Sequence, residues 1–368
     1  MYIICTNLRE HDVEQRQQQE RLRSIDIISL LSPRLAWRLV RGIARSAFDE
    51  DFAGAPLAVC WFTNFSCNAR CHFCCKAAEI RAGRDRFPSL PLDKAKQLMA
   101  KIREKVGLLY LSGGEPTIHP YIIDILKEAK ALEFDSVGIS SNLIALDKNL
   151  DILELIDAIG VSIHSPDVEV HARNLGVPVK LAEKAFDNLG ILQEHSGRNG
   201  IKVLINCVIN PGNMHTVLQM VEFTAKRNLL LELVPANDCG TIPKELSDNP
   251  HYRDLIDHLL ELRKSGQAKH LAGSTYYYSA IRDLKPFRCF PYGVPNIMPD
   301  GRLCTPCDVS QQYAVNVLDH KHIKDAVKAS LPFLGSYPCK EGRCFKAGIL
   351  ERSRLFGLLI AGKNLNPV

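Results

Sequence analysis

Between residues 57 and 235 the chain alternates short β-branched runs with longer amphipathic stretches, and this rhythm restricts the fold more than any other property of the sequence. The strand candidates are LAVCWFTN (57–64), GLLYLSG (107–113), SVGISSN (136–142), AIGVSIH (158–164), KVLINCVIN (202–210) and LLLELVP (229–235). Helical patterns fall between them, near 93–105, 120–132, 148–157, 179–195 and 213–227, with Asp93 and Asn213 as N-caps. Strand then helix, repeated, requires parallel strands joined by right-handed crossovers. Such units close into a full or partial barrel, or open into a doubly wound sheet. In either case a ligand site belongs at the carboxyl ends of the strands.

That rule collects a set of residues. A cysteine-rich loop follows the first strand, Gly113, Gly114, Glu115 and Pro116 follow the second, and Ser141 and Asn142 end the third. His164 ends the fourth and Asn210 the fifth. The chain has 13 cysteines, yet its start, MYIICTNLREHD, lacks the basic, apolar and cleavage regions of a signal peptide, so it is expected to be cytoplasmic. In a reducing compartment those cysteines serve metal binding, catalysis or burial rather than disulfides. A formal charge of +5 spread over 368 residues gives no reason to expect a nucleic-acid partner.

Cys5, Cys60, Cys207 and Cys239 are isolated in apolar surroundings and read as buried small residues. The rest form two clusters. In NFSCNARCHFCCKAAE (64–79), Cys67, Cys71 and Cys74 are spaced by three residues and then two. Structural zinc takes four ligands, commonly as two pairs, whereas three thiolates on one tight loop suit one face of an iron–sulfur cube and leave its fourth iron open. Cys75, adjacent to Cys74, is assigned to packing. The second cluster has Cys289, Cys304 and Cys307 around an expected hairpin turn at Pro299-Asp300-Gly301, followed by Cys339 and Cys344. It reads as a second metal site, for which zinc is the rival to iron and sulfide.

Cys67, Cys71 and Cys74, followed one strand later by LSGGEP (111–116), resemble the signature of the radical S-adenosylmethionine (radical SAM) enzymes, and the resemblance runs over roughly 57–240. It implies a [4Fe-4S] cluster whose open iron binds S-adenosylmethionine and whose electron cleaves it. The resulting 5'-deoxyadenosyl radical then abstracts hydrogen from an unactivated carbon. It further implies cofactor contacts from Phe73 beside the adenine, from Gly113, Gly114 and Glu115 at the methionine ammonium, from Ser141 and Asn142 at the ribose or carboxylate, and from Arg173 at the carboxylate. The back cluster resembles the twitch or SPASM extension of that family. Five cysteines there fully ligate one auxiliary cluster, expected on Cys289, Cys304, Cys307 and either Cys339 or Cys344.

The expected fold is therefore α/β, a partial (β/α)6 TIM-like barrel with a small cysteine-rich α+β extension. The expected organisation is a helical lead-in (1–52), the barrel (53–240), a linker region (241–285) with a helix near 251–264, and the extension with a C-terminal helix (286–368). Tyr276, Tyr277 and Tyr278 read as a half-buried strand. In SPRLAWRLVRGIARSAF (32–48), Arg34, Arg38, Arg41 and Arg45 share one helical face, and LFGLLIAG (355–362) is apolar but too short to span a membrane. A basic amphipathic helix can lie in a lipid headgroup layer, so contact with the inner membrane surface is one expectation. The leading expectation for the substrate is an apolar metabolite, a lipid or an isoprenoid. The alternatives are a ribosomal peptide matured by a radical SAM/SPASM enzyme, or a non-catalytic iron–sulfur or zinc protein of electron transfer or assembly. A reducing partner such as flavodoxin or ferredoxin would supply the electron.

Overall fold

The structure is a computed structural model that describes residues 56, 58–77, 80, 87–237, 242–284, 287–289, 294–304, 313–330, 332 and 339–342. All six strand candidates form: β1 (Ala58–Asn64), β2 (Leu108–Gly113), β3 (Ser136–Ser141), β4 (Ala158–Ser162), β5 (Lys202–Ile209) and β6 (Leu230–Pro235). They pair in parallel in the order β6-β5-β4-β3-β2-β1. The crossovers run through α1 (Leu92–Arg103), α2 (Ile122–Ala131), α3 (Ile152–Leu155), α4 (Val168–Leu175), α5 (Val179–Asn199) and α6 (Val217–Lys226). Of the two arrangements that the alternation allows, the sequential strand order is that of the expected partial TIM-like barrel.

Strand β5 shows how the layers divide. Val203, Ile205, Cys207 and Ile209 are buried and join Leu189 and Leu192 of α5 and Met220 of α6 in one core. Each buried aliphatic side chain contributes about 1.5–3 kcal/mol. The alternate residues Leu204, Asn206 and Val208 turn to the inside of the barrel and line a cavity. Asp93 is not the N-cap expected, and Asn213 holds its N-cap position without a side-chain capping bond. Asp93 lies in the first turn of α1 behind Pro91, where its charge still favours the helix N-terminus. Asn213 precedes a short 3₁₀ turn and spends its amide elsewhere, donating to the carbonyls of His164 (2.7 Å) and Val208 (2.8 Å).

Beyond β6 come α7 (Lys244–Ser247), α8 (Pro250–Lys264) and α9 (Thr275–Asp283). The tyrosine run is therefore helical, not a strand. Ser274 caps α9 by accepting from the Tyr277 amide at 3.3 Å, and the Tyr277 hydroxyl reaches back to donate to the Leu233 carbonyl of β6 at 2.6 Å. Aromatic residues favour strands on average, and the cap together with this packing overrides that preference.

Further on lie β7 (Phe287–Cys289), β8 (Asn296–Ile297), β9 (Leu303–Cys304), α10 (Ile323–Ser330) and β10 (Cys339–Gly342). The expected hairpin forms between β8 and β9, with Gly301 at φ +87°. It does not stand apart, because β8 pairs in parallel with β1 and continues the main sheet past its first strand. β7 and β10 make a separate antiparallel ribbon in which Cys289 stands opposite Cys339. Among the described residues no helix is long and apolar enough to cross a membrane. The stretches 32–48 and 355–362, and Cys5, Cys239, Cys307 and Cys344, lie outside the described residues.

Candidate active site

The loop after β1 carries Cys67, Cys71 and Cys74, and all three line one cavity of about 370 Å³ within the barrel. The loop is held from two sides. On one side Arg70 donates its amide to the Leu175 carbonyl at 2.8 Å, and its guanidinium donates to the Cys67 carbonyl at 2.7 Å. Gly176, at φ +63°, lets α4 end hard against this loop, since a Cβ there would meet the Arg70 carbonyl oxygen at 2.5 Å. On the other side the Asn142 side-chain amide Nδ2 donates to Asn68 Oδ1 at 2.7 Å.

The Gly-Gly-Glu-Pro turn after β2 docks onto the start of the same loop. Gly114 donates its amide to the Asn64 carbonyl and Glu115 donates its own to the Ser66 carbonyl, both at 2.8 Å. A Cβ on Gly113 would lie 2.2 Å from the Asn64 carbonyl oxygen, and one on Gly114 would lie 2.2 Å from that of Ser66. The glycines are thus required by the close approach of β2 to the backbone ahead of Cys67, and Gly113 also adopts φ +141°.

Glu115 is buried, and its carboxylate is engaged within the protein. It accepts from the Thr117 amide and hydroxyl (3.2 and 2.8 Å) and from the Asn142 amide (2.7 Å). Burial pushes its pKa up, against the pull of these hydrogen bonds. Ser141 and Asn142 are likewise occupied: Ser141 Oγ accepts from the Leu143 amide at 2.9 Å and Asn142 Oδ1 from the Ile144 amide at 3.0 Å. These bonds hold Leu143 at φ +64°, a conformation costly for a leucine.

Phe73 lines the cavity edge-on to His164, their ring centroids 4.8 Å apart. His164 Nδ1 accepts from the Val208 amide at 3.2 Å, which leaves its proton on Nε2. Burial holds this imidazole neutral, well below its ordinary pKa, with His171 and His72 adding to the effect. Arg173 is the exception among the residues expected to contact S-adenosylmethionine. It lies on α4 with 66% of its side chain exposed, 3.9 Å from Glu169, and it does not line the cavity.

Burial raises the Cys71 thiol pKa to about 12, with Cys74 and Cys67 raising it further, and the Cys67 thiol is also raised. Thiols this close and this desolvated deprotonate together only against a cation, which is the donor set that an iron–sulfur cube requires. Among the described residues no three Cys, His, Asp or Glu side chains close around a single metal ion. Cys75 also lines the cavity, as does Cys60, so neither is plain core packing.

The cavity floor is made of residues that the sequence alone did not single out. Tyr110 of β2 lies across Gly138 and Gly160, where a Cβ would meet its ring at 2.7 Å and its hydroxyl at 2.5 Å. Above it Ser112, Ser140, Ser162, Asn206 and Glu232 contribute one polar side chain from each of β2 to β6. Ser140 Oγ donates to Ser112 Oγ at 2.9 Å, and Asn206 donates to Glu232 Oε2 at 3.1 Å across the β5–β6 pair. Barrel interiors are ordinarily filled with bulky branched side chains, and here a row of small and polar ones, set among apolar residues such as Leu204, Val208 and Val234, borders a hollow.

Residues 62–224 match the radical SAM superfamily. Curated relatives include a probable GTP 3',8-cyclase of Thermococcus kodakarensis, 27% identical over 63% of this chain and 71% of its own length. A probable GTP 3',8-cyclase of Saccharolobus solfataricus is 25% identical over 73% of this chain and 88% of its own. Among solved structures, Streptococcus suis SuiB bound to S-adenosylmethionine superposes with a TM-score of 0.57 at 18% identity, covering 74% of this chain and 65% of SuiB, slightly under two thirds of its length. anSMEcpe with bound AdoMet gives a TM-score of 0.54 at 13% identity, over 84% and 94% of the two chains.

Proposed function

We propose that this chain, an enzyme of the radical SAM superfamily, carries a [4Fe-4S] cluster on Cys67, Cys71 and Cys74 and acts on a small polar metabolite bound inside its barrel. The observation that carries the reading is that the three thiols share one cavity with a polar row running across β2 to β6. When bound, the cluster and S-adenosylmethionine supply a 5'-deoxyadenosyl radical that takes hydrogen from the substrate.

The chain's own residues do the holding and shaping. Gly113, Gly114 and Glu115 lock the end of β2 against the cysteine loop, and Asn142 ties the end of β3 to it through Asn68. Phe73 and His164 offer an apolar edge and a neutral Nε2–H donor to the adenosyl group. Ser141 and Asn142 serve this site mainly by fixing the loop. Arg173, facing solvent, is left without the carboxylate role that the resemblance implied.

The polar row across β2 to β6 supports a hydrogen-bonding substrate beside apolar walls that include Leu204, Val208 and Val234, and it is preferred on that ground to the lipid or isoprenoid expected from the lead-in helix. The names of the curated relatives make GTP the first compound to try. A peptide is the second reading, favoured by the fold shared with SuiB, which has also been solved with its precursor peptide SuiA. For the auxiliary site, the register that sets Cys289 opposite Cys339 supports these two, with Cys304 and Cys307, over a set that uses Cys344. A small flavodoxin or ferredoxin is proposed as the electron donor.

The test is anaerobic reconstitution with iron and sulfide, followed by dithionite and S-adenosylmethionine, with and without GTP. About eight irons per chain, four for each cube, and 5'-deoxyadenosine are the expected result. Stimulation by GTP would identify the substrate, and its absence would turn the search to other polar metabolites. No 5'-deoxyadenosine under any condition would overturn the reading.

A further inference from the structure

Arg70 spends its guanidinium on the loop that carries it. Between Cys67 and Cys71 that loop forms neither helix nor strand, so its carbonyls need partners from outside a regular ladder. One nitrogen, Nη1, answers two of them, donating to the Cys67 carbonyl at 2.7 Å and to the Ala69 carbonyl at 2.8 Å. The Arg70 amide donates to the Leu175 carbonyl at 2.8 Å, which fixes its backbone against the end of α4. Arg70 is exposed, and among the described residues its guanidinium bonds backbone carbonyls rather than a carboxylate. Arg173, two residues before Leu175, differs in lying 3.9 Å from Glu169. In the same turn the Ala69 amide donates to Cys67 Sγ at 3.4 Å. Cys67 is thus met by an N–H at its sulfur and by a cation at its carbonyl.

We propose that Arg70 is a positioning residue of the iron–sulfur site, whose loop-bound guanidinium fixes a positive charge beside the cluster and makes the cluster easier to reduce. The proposal rests on the reading that Cys67, Cys71 and Cys74 hold that cluster. A cube on three thiolates gains one negative charge when it takes up an electron. A cation held nearby therefore favours the reduced form and raises the potential, and a hydrogen bond to a ligand sulfur acts in the same direction. An arginine keeps its charge throughout the pH range in which proteins are handled. An unrestrained arginine on a surface spreads that charge over many rotamers, whereas two bonds from one nitrogen hold this one at the first ligand residue. Because the side chain is exposed, its influence is weakened by water and depends on salt.

The experiment uses the full-length protein reconstituted with iron and sulfide, with Arg70→Gln, Arg70→Met and Arg70→Lys beside the wild type. The reduction potential is read from an anaerobic titration followed by electron paramagnetic resonance, taking the signal that the Cys67/Cys71/Cys74→Ala triple variant lacks. Both neutral variants are expected to move the potential to more negative values. Arg70→Lys, which keeps the charge without the fork, is expected to stay closer to the wild type. The difference between wild type and Arg70→Gln should shrink as salt is raised from about 0.1 M to about 1 M, where the screening length falls from about 10 Å to about 3 Å. A purely structural effect would persist. Equal potentials in the wild type and the neutral variants, a shift as large in Arg70→Lys as in Arg70→Gln, or a shift unmoved by salt would overturn the proposal. Should neither neutral variant hold a cluster, retention in Arg70→Lys at a potential close to that of the wild type supports it, and any other result there overturns it. No such signal in the wild type would instead defeat the radical SAM reading, so the two failures are distinguishable.

Discussion

Replacing Gly114 with alanine tests the claim that the turn after β2 exists to dock against the cysteine loop. The added methyl would lie 2.2 Å from the Ser66 carbonyl oxygen and 2.7 Å from its carbon. That is roughly 1 Å inside ordinary contact, and both atoms are backbone, so no rotamer change relieves it. The two segments must part, which breaks the hydrogen bonds from Gly114 to Asn64 and from Glu115 to Ser66. Two such bonds are worth about 1 kcal/mol each, and overpacking adds about 1–3 kcal/mol, so a loss of about 3–5 kcal/mol is expected. The internal control is Gly190→Ala. Gly190 is an exposed helical glycine with nothing within 4 Å of a new Cβ, so alanine should stabilise by about 0.5–1 kcal/mol. Urea unfolding followed by circular dichroism measures both, and iron retained after reconstitution and desalting reports on the loop. If Gly114→Ala were as stable as Gly190→Ala and loaded as much iron, the docking argument would be refuted.

Two other outcomes concern individual side chains. Burial lowers the pKa of His171 to about 4, whereas an unfolded histidine titrates near 6.5. Above about 6.5 neither state is protonated; as pH falls from there towards 4, the unfolded chain takes up a proton that the folded chain refuses. Stability should therefore drop by about 3 kcal/mol across that window, with His164 steepening the fall, and His171→Gln should flatten the slope in a pH series of unfolding curves. A slope unchanged in His171→Gln would remove this explanation. If Cys289 and Cys339 hold the proposed auxiliary cluster, Cys289→Ala and Cys339→Ala should each lower iron from about eight to about four per chain, and iron unchanged in both would leave those cysteines without a cluster.

The barrel was legible because its strands are compact, mostly apolar runs and the stretches between them carry helical periodicity. The cysteine loop was legible because three thiols in eight residues have few other uses. The floor was not, for a physical reason. Asn206 and Glu232 interrupt apolar strands visibly enough, but whether one polar residue faces water, helices or a hollow depends on register with its neighbours. The pairing of Asn206 with Glu232 is a property of the folded sheet alone. Arg173 shows the converse, since its place after the fourth strand matched the resemblance while helical phase turned it towards Glu169 and solvent. The tyrosine run failed as a strand because Ser274, three residues before Tyr277, starts a helix that tertiary packing then secures.

The most direct test compares the wild type with the Cys67/Cys71/Cys74→Ala triple variant, both reconstituted anaerobically and given dithionite and S-adenosylmethionine. The wild type should form 5'-deoxyadenosine, and the triple variant should form none and carry about four fewer irons per chain. Equal nucleoside from both proteins, or none from the wild type, would contradict the assignment of these three cysteines to radical SAM chemistry.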